Sequence, residues 1–116
     1  SCCETLARFL DVGVEPFALA STLRRVFAQR LLRRRCPECE GAGGSCCRGT
    51  GYRGRVPLVE HLAVDPLRAE ILAGATVDRL EEVARAAGFV TLADRARAAL
   101  DAAWTTEDEV RRCLGA

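Results

Sequence analysis

The amino-acid sequence predicts a mainly α-helical protein with a cysteine-rich loop near its middle. Apolar residues recur at helical spacing on both sides of residues 36–54, with Gly, Thr and Pro at the expected helix ends. Within residues 36–54 that periodicity stops, and Gly and Cys predominate, which is typical of a compact loop. A chain of 116 residues can bury one modest core, so one or two small lobes are expected.

The N-terminal third predicts two helices. The first covers residues 4–12 and ends at Gly13. The second begins at Pro16, a residue favoured at the first helical position, and extends to about Arg34. Its helical spacing is kept by the apolar residues Leu19, Leu23, Val26, Phe27 and Leu31. The arginines at 33–35 then complement the dipole of the last turn or are solvated.

A short edge strand and three or four short helices are predicted after the loop. Residues 55–62 alternate in character as an extended segment does, and Pro57 places that segment at a sheet edge. One side carries Val56, Leu58 and Leu62, and the other carries Val59 and His61. The helices are predicted at 65–73, 77–87, 92–103 and 106–114. N-cap positions are occupied by Thr76, Thr91 and either Thr105 or Thr106, and helix ends by Gly74, Gly88 and Gly115.

Charge limits the functions open to this chain. All 17 basic residues are Arg, whereas a P-loop needs a Lys to contact the β- and γ-phosphates of ATP, so these residues alone are not expected to hydrolyse ATP. Residues 1–57 carry a net charge of +5 (10 Arg, 5 acidic residues) and residues 58–116 a net charge of −4 (7 Arg, 11 acidic residues). Complementary packing or solvated helix faces explain this asymmetry better than nucleic-acid binding, which favours Arg interleaved with aromatic residues.

The pattern of apolar residues and cysteines predicts a cytosolic location. No apolar run approaches the ~20 residues needed to cross a bilayer, and no secretory leader is recognisable, so a soluble protein is expected. Four of the seven Cys residues lie within residues 36–47. This clustering favours metal binding in a reducing compartment over a disulfide scaffold.

The cysteine spacing predicts a structural zinc site. Cys36-Pro37-Glu38-Cys39 places two thiolates on one tight turn, a zinc knuckle, whose backbone N–H groups can support the sulfurs. The same small-residue tail, CxGxG, begins at Cys39 and again at Cys47, which predicts two related knuckles. In the second, Gly44 stands where a paired Cys is expected. The predicted ligands are therefore Cys36, Cys39 and Cys47, with Cys46 as the fourth candidate.

Other interpretations of the cysteines remain open. Vicinal side chains point to opposite sides of an extended backbone, which is the objection to Cys46 as a ligand. A degraded site would leave small apolar Cys residues that only fill space. A redox pair is expected to open a helix after a strand, whereas this motif follows a predicted helix. His61, the single His, is another candidate fourth ligand, although a lone His on a short strand is more often half-exposed. Separate, structural roles are expected for Cys2, Cys3 and Cys113.

Five short motifs, in order, resemble one known family. They are GVEPF at 13–17, LASTL at 19–23, AQRL at 28–31, CPEC at 36–39 and TGYRGR at 50–55. The same order is found in the C-terminal part of type II secretion and type IV pilus-assembly ATPases. The resemblance continues through residues 74–76, 88–92 and 104–110, and so covers nearly the whole chain.

The resemblance implies a hexameric ATPase at the cytoplasmic face of the inner membrane, which binds ATP and Mg²⁺ in the parent protein and acts on a membrane platform protein. Residues 1–35 would be the last two helices of its RecA-like domain, residues 36–55 the zinc subdomain and residues 56–116 a helical lobe. The Walker A and B segments are expected upstream of residue 1. Tyr52 and Arg53, on a Gly-rich loop, suit either a contact with another subunit, which is favoured, or packing within the turn. Trp104 is expected to lie in the lobe's core or to cap a helix.

Three alternatives to this assignment remain open. The second cysteine pair is irregular, Ala103 stands where Gly is common, and Arg95-Ala96 replaces the usual Asp-Gly, which is compatible with a decayed gene remnant. Residues 36–43 are also similar to the CxxCxGxG repeat of DnaJ-type zinc domains, but a stand-alone zinc-knuckle module leaves the flanking helices unexplained. A third hypothesis, nucleic-acid binding through the arginine-rich segment, predicts salt-dependent retention on heparin.

Overall fold

The computed structural model describes residues 1–115, which contain six α-helices and one two-stranded sheet. In chain order these are α1 (Cys2–Asp11), α2 (Pro16–Thr22), β1 (Arg25–Arg35), β2 (Tyr52–Ala63), α3 (Arg68–Leu72), α4 (Val77–Ala86), α5 (Leu92–Asp101) and α6 (Glu107–Leu114). Single 3-10 turns occupy Ser45–Cys47 and Asp65–Leu67. About half of the chain is helical, so the mainly α prediction is confirmed in part.

The predicted second helix is wrong beyond Thr22, where the chain becomes extended and forms β1. Leu23 already has extended backbone angles, with φ −79° and ψ 126°. The side chains of Phe27 and Leu31, which the helix prediction placed on the buried face, are 65% and 45% exposed, whereas Leu32 is fully buried. The apolar spacing over residues 23–31 therefore belongs to a strand with a partly apolar outer face.

β1 and β2 form an antiparallel hairpin around the cysteine-rich loop. The backbone N–H of Val64 donates to the carbonyl of Arg24 at 2.9 Å, and that of Cys36 donates to Gly51 at 2.8 Å. The alternation predicted for residues 55–62 is confirmed, since Val59 and His61 are exposed between buried neighbours. Those buried side chains are Val56, Leu58, Glu60 and Leu62.

Several predicted helix ends are confirmed because they rest on local hydrogen bonds. The Thr76 hydroxyl accepts from the N–H of Arg79 at 3.3 Å and begins α4. Thr106 does the same for Glu109 at 3.2 Å and begins α6, and Gly115 ends that helix in the left-handed region. The predicted helix at 65–73 is instead a 3-10 turn followed by the short α3.

The chain divides into two compact units. The first unit comprises residues 1–28 and 60–91, and its core packs α1 and α2 against α3 and α4. The largest side chains of that core are Leu6, Leu62, Leu67, Ile71 and Leu80. The second unit comprises residues 29–59 and the described residues from 92 onward. No helix within residues 1–115 is both long and apolar enough to cross a membrane. The three-segment division at residues 35 and 55 stays a prediction.

Candidate metal centre

Two knuckles lie in the second unit, in the loop between the strands. In the first, the Cys36 thiol is fully buried at the end of β1, and the N–H of Gly43 donates to Cys39 Sγ at 3.4 Å. In the second, the N–H of Gly51 donates to Cys47 Sγ at 3.2 Å. In both knuckles the donor lies four residues after the cysteine, so the two turns hold their sulfurs in the same way.

The two CxGxG tails share a backbone conformation, as the sequence repeat predicts. Glu40 and Arg48, the residues after the paired cysteines, both adopt left-handed angles, with φ of 52° and 58°. The glycines that follow also have positive φ values, at Gly41, Gly43, Gly49 and Gly51. Two related knuckles are therefore present, although only one has the complete CxxC spacing.

Glycine is required where the tails meet because their backbones approach closely. A Cβ on Gly43 would lie 2.9 Å from the carbonyl oxygen of Gly49, and one on Gly51 would lie 2.7 Å from that of Gly41. Both distances are shorter than a carbon–oxygen contact permits. The first glycine of each tail thus faces the last glycine of the other.

Four thiols converge between the knuckles. The sulfurs of Cys36, Cys39, Cys46 and Cys47 all lie within 4.8 Å of one another. Sγ–Sγ distances are 3.5 Å for Cys36 and Cys46, and 3.7 Å for Cys39 and Cys47. Four sulfurs at Zn–S distances of about 2.3 Å would be separated by about 3.8 Å, so the cluster fits a tetrahedral metal ion.

Cys46 joins the cluster because Ser45–Cys47 forms a 3-10 turn rather than an extended segment. The objection that vicinal side chains point apart therefore does not apply here. A Cβ on Gly44, the position of the missing paired cysteine, would lie 3.6 Å from Cys46 Sγ. The Cys46 sulfur thus lies beside the place where the missing side chain would begin.

Backbone N–H donors favour the thiolate form of two of the four cysteines, Cys39 and Cys47. The N–H of Gly43 is the main cause that lowers the pKa of Cys39, to about 6. Burial opposes ionisation of Cys47, but the N–H of Gly51 helps to bring its pKa below the ordinary value. The adjacent Cys36 thiol, followed by burial, raises the pKa of Cys46 to about 12. A bound cation would favour the deprotonated form of all four.

The remaining cysteines and His61 lie apart from the cluster, as predicted for the cysteines. Cys2 and Cys3 are buried in the core of the first unit, where burial is the main cause that raises their pKa values to about 12 and about 11. The Cys113 thiol donates to the carbonyl of Leu31 at 3.7 Å. His61 is exposed, and its ring stacks on Phe27 with centroids 4.6 Å apart.

A buried carboxylate in the second unit was not expected from the sequence. Glu109, on α6, is fully buried and accepts from the backbone N–H of Arg33 at 2.9 Å. The guanidinium groups of Arg33 and Arg112 also donate to it, at 2.7 Å and 2.6 Å. Together these groups hold the pKa of Glu109 well below its usual range, with the Arg112 hydrogen bonds as the largest cause. The sequence gives only a weak indication of this Glu109–Arg33–Arg112 cluster, namely an acidic residue in the first turn of a helix.

The aromatic residues of the second unit have partners within it. The Tyr52 hydroxyl lies 2.7 Å from Thr106 Oγ1, and its ring lies 4.2 Å beneath the Arg33 guanidinium carbon. Arg53 pairs with Glu38 at 2.9 Å. Trp104 is 57% exposed, so its predicted place in the core is wrong. Its backbone N–H donates to Ala99 at 2.9 Å and helps to cap α5.

Two knuckles on a hairpin, with four convergent thiols, form a small module that could hold a metal ion and is flanked by helices. Comparison with known proteins gives its family. The model of the type II/IV secretion system protein family matches residues 1–112, and the chain belongs to this family.

The names of the curated relatives come from type II secretion, protein transport and type IV pilus assembly. The type II secretion system protein HxcR of Pseudomonas aeruginosa is 35% identical, over 94% of this chain and 25% of its own length. The protein transport protein HofB homolog of Escherichia coli is 34% identical, over 99% and 30%. The type IV pilus assembly ATPase PilB of Thermus thermophilus is 31% identical, over 96% and 16%. The chain thus spans less than a third of the length of each of these relatives.

Proposed function

We propose that this chain is the C-terminal part of a cytoplasmic ATPase that powers type II secretion or type IV pilus assembly, and that it contributes a structural zinc module. The observation that supports this most directly is the convergence of four thiols inside a chain that matches the family over residues 1–112. In the parent protein, ATP and Mg²⁺ would bind outside these 116 residues. Residues 1–35 would complete a RecA-like domain.

The proposed partners are the other subunits of a homohexamer and the platform protein of the inner membrane, at whose cytoplasmic face the ATPase would be located. No nucleic-acid partner is proposed. Arg53, in the TGYRGR segment where a subunit contact is predicted, is exposed and pairs with Glu38 of the CPEC motif. Tyr52 is occupied by Thr106 and Arg33 and is better suited to hold that turn in place.

Zinc is the metal that best suits this donor set. Four thiolates are soft ligands, and a closed set of four is typical of structural zinc rather than of a catalytic site with an open position. Bound zinc would offset half of the charge of the four thiolates and link the two knuckles. A degraded site of space-filling cysteines does not account for the placement of Cys46 beside the vacant Gly44 position.

Metal analysis tests this proposal. The full chain, purified without a chelator, is expected to contain about one equivalent of zinc. Cys36→Ser is expected to lower the content below about half an equivalent, because it removes a buried ligand. Cys113→Ser, which lies outside the cluster, is the matched control and should keep its zinc. A metal content that is low in all three proteins would disprove the zinc proposal.

A second variant tests the role of Cys46. Cys46→Ser alone is expected to weaken zinc binding, and adding Gly44→Cys is expected to restore it, because the new thiol completes a regular CxxC pair with Cys47. Gly44 has φ −116°, an angle open to any residue. Zinc competition with a chromophoric chelator measures the affinities. Equal affinity in wild type and Cys46→Ser would exclude Cys46 as a ligand.

A further inference from the structure

A cleft in the first unit gathers three arginines that the metal site does not use. Its volume is about 340 Å³, within the range of small-molecule sites. Arg24 and Arg25 come from the start of the hairpin, and Arg68 comes from the first turn of α3. Leu23 and Ala63 supply apolar walls.

Two of these guanidinium groups are held in place. Arg25 Nη1 donates to His61 Nε2 at 2.9 Å, and the His61 ring is fixed in turn by its stack on Phe27. Arg68 Nη2 pairs with Asp65 Oδ1 at 2.9 Å, one turn earlier on the chain. Arginines that are positioned before a ligand arrives lose less conformational entropy when it binds.

The third arginine, Arg24, has guanidinium donors that no protein group uses within residues 1–115. The carbonyl of Arg24 accepts from the N–H of Val64 at 2.9 Å, which anchors its backbone at the cleft. Within residues 1–115 its guanidinium forms no ion pair or hydrogen bond, so its donors are free for a ligand. The charges that line the cleft are three guanidinium groups and one carboxylate, Asp65, which leaves a net charge of +2.

We propose that this cleft binds a phosphate monoester. Such a group carries about −1.5 to −2 charges near pH 7 and three acceptor oxygens, which match the net charge and the donors of the cleft. The planar guanidinium group binds phosphate oxygens in pairs. Arg24 lines the cleft, and its guanidinium has no ion pair or hydrogen bond within residues 1–115, so it is available to do so. The volume leaves room for the esterified part beside the apolar walls. This site goes beyond the proposed zinc module and does not depend on it.

Binding of defined phosphate monoesters to the full chain tests the proposal. The probes are glycerol 3-phosphate for a soluble ligand, and phosphatidylcholine vesicles containing phosphatidic acid for a lipid headgroup. Saturable binding of either is expected, monitored by calorimetry for the first and by vesicle co-sedimentation for the second. Binding of glycerol 3-phosphate assigns a soluble ligand, and binding to the vesicles alone assigns a lipid.

Arginine variants distinguish binding in this cleft from nonspecific electrostatic attraction to the protein. Arg24→Gln is expected to weaken binding about tenfold without affecting the fold, because its side chain is exposed and unpaired. Its control is Arg8→Gln, an exposed arginine of α1 that has no ion pair within residues 1–115. Arg68→Gln is matched by Arg79→Gln, which also breaks an exposed i,i+3 pair, with Glu82. Absence of binding to both probes, or equal losses in the control variants, would overturn the proposal.

Discussion

Glu109 is a buried carboxylate whose ionised form is stabilised by hydrogen bonds from Arg33 and Arg112. A carboxylate transferred from water into a protein interior is strongly disfavoured unless hydrogen bonds and opposite charges replace its hydration. Here one backbone N–H and two guanidinium groups do so, and the Arg33 guanidinium also lies over the Tyr52 ring. The Glu109–Arg33–Arg112 cluster thus joins β1 to α6 within the second unit.

We expect Glu109→Gln to destabilise the second unit by about 2 kcal/mol at neutral pH, because the amide leaves arginine donors without a charged partner. The lowered pKa of Glu109 also fixes the sign of the pH dependence. Its contribution is fully present above the pKa of the unfolded state, about 4.3, and is lost as the pH falls through and below that value. Urea unfolding at pH 7, pH 5 and pH 3 measures both effects, because most of the loss falls below the pKa of the unfolded state.

The control for this prediction is Glu107→Gln, an exposed residue of the same helical turn. It should change the free energy of unfolding by less than about 0.5 kcal/mol. A variant at Glu109 that is as stable as wild type at pH 7, or that retains the acid sensitivity of wild type between pH 5 and 3, would contradict the assigned role.

The sequence was sufficient to predict where some of these side chains lie and insufficient for others. Cys36, Cys39 and Cys47 were predicted as ligands from spacing alone, but the place of Cys46 depends on a 3-10 turn that no sequence pattern signals. Trp104 is exposed although its apolar character favoured burial. It follows Ala103, which lies just after the end of α5 and has a left-handed φ of 58°.

At the scale of elements, local signals were sufficient for the helix ends and insufficient for β1. Caps such as Thr76 and Thr106 act within one turn, so sequence shows them directly. The apolar residues between 23 and 31 satisfy both the helical and the strand period, and the decision depends on pairing with β2, across a long loop. Long-range pairing of that kind overrides local propensity.

A pair of leucines tests the strand. Leu32→Ala is expected to cost about 2–4 kcal/mol, because the side chain is fully buried, whereas Leu31→Ala, at 45% exposure, should cost less than about 0.5 kcal/mol. A helix through residues 16–34 would make Leu31 an apolar-face residue and so predicts a large loss there. Thermal or urea unfolding of the two variants measures the difference, and a larger loss for Leu31→Ala would favour the helix.

At the scale of the whole molecule, the apolar core and the thiol cluster belong to different units. The core cluster of α1 to α4 lies in residues 1–28 and 60–91, and all four thiols lie in residues 36–47. The sequence predicted an apolar core and a cysteine cluster, but not that they belong to different units. Each unit combines an early and a late segment of the chain, which local patterns do not reveal.

We expect removal of the proposed zinc ion to loosen the second unit before the first. The amides of Cys36, Gly43 and Gly51 are bonded within the knuckles, so treatment with a zinc chelator should raise their hydrogen-exchange rates by about tenfold or more. The amides of Leu19 and Leu80, in helices of the first unit, should change much less. Hydrogen exchange followed by NMR gives both sets of rates. Equal acceleration throughout would show that the units do not open separately.

The position of Trp104 has an optical consequence for such experiments. The chain contains one Trp and one Tyr, and both Trp104 and Tyr52 lie in the second unit. Trp and Tyr fluorescence therefore comes only from the unit that holds the thiols, whereas far-ultraviolet circular dichroism samples the helices of both units. Unfolding curves from the two methods should separate whenever the two units melt at different denaturant concentrations, without any label being added.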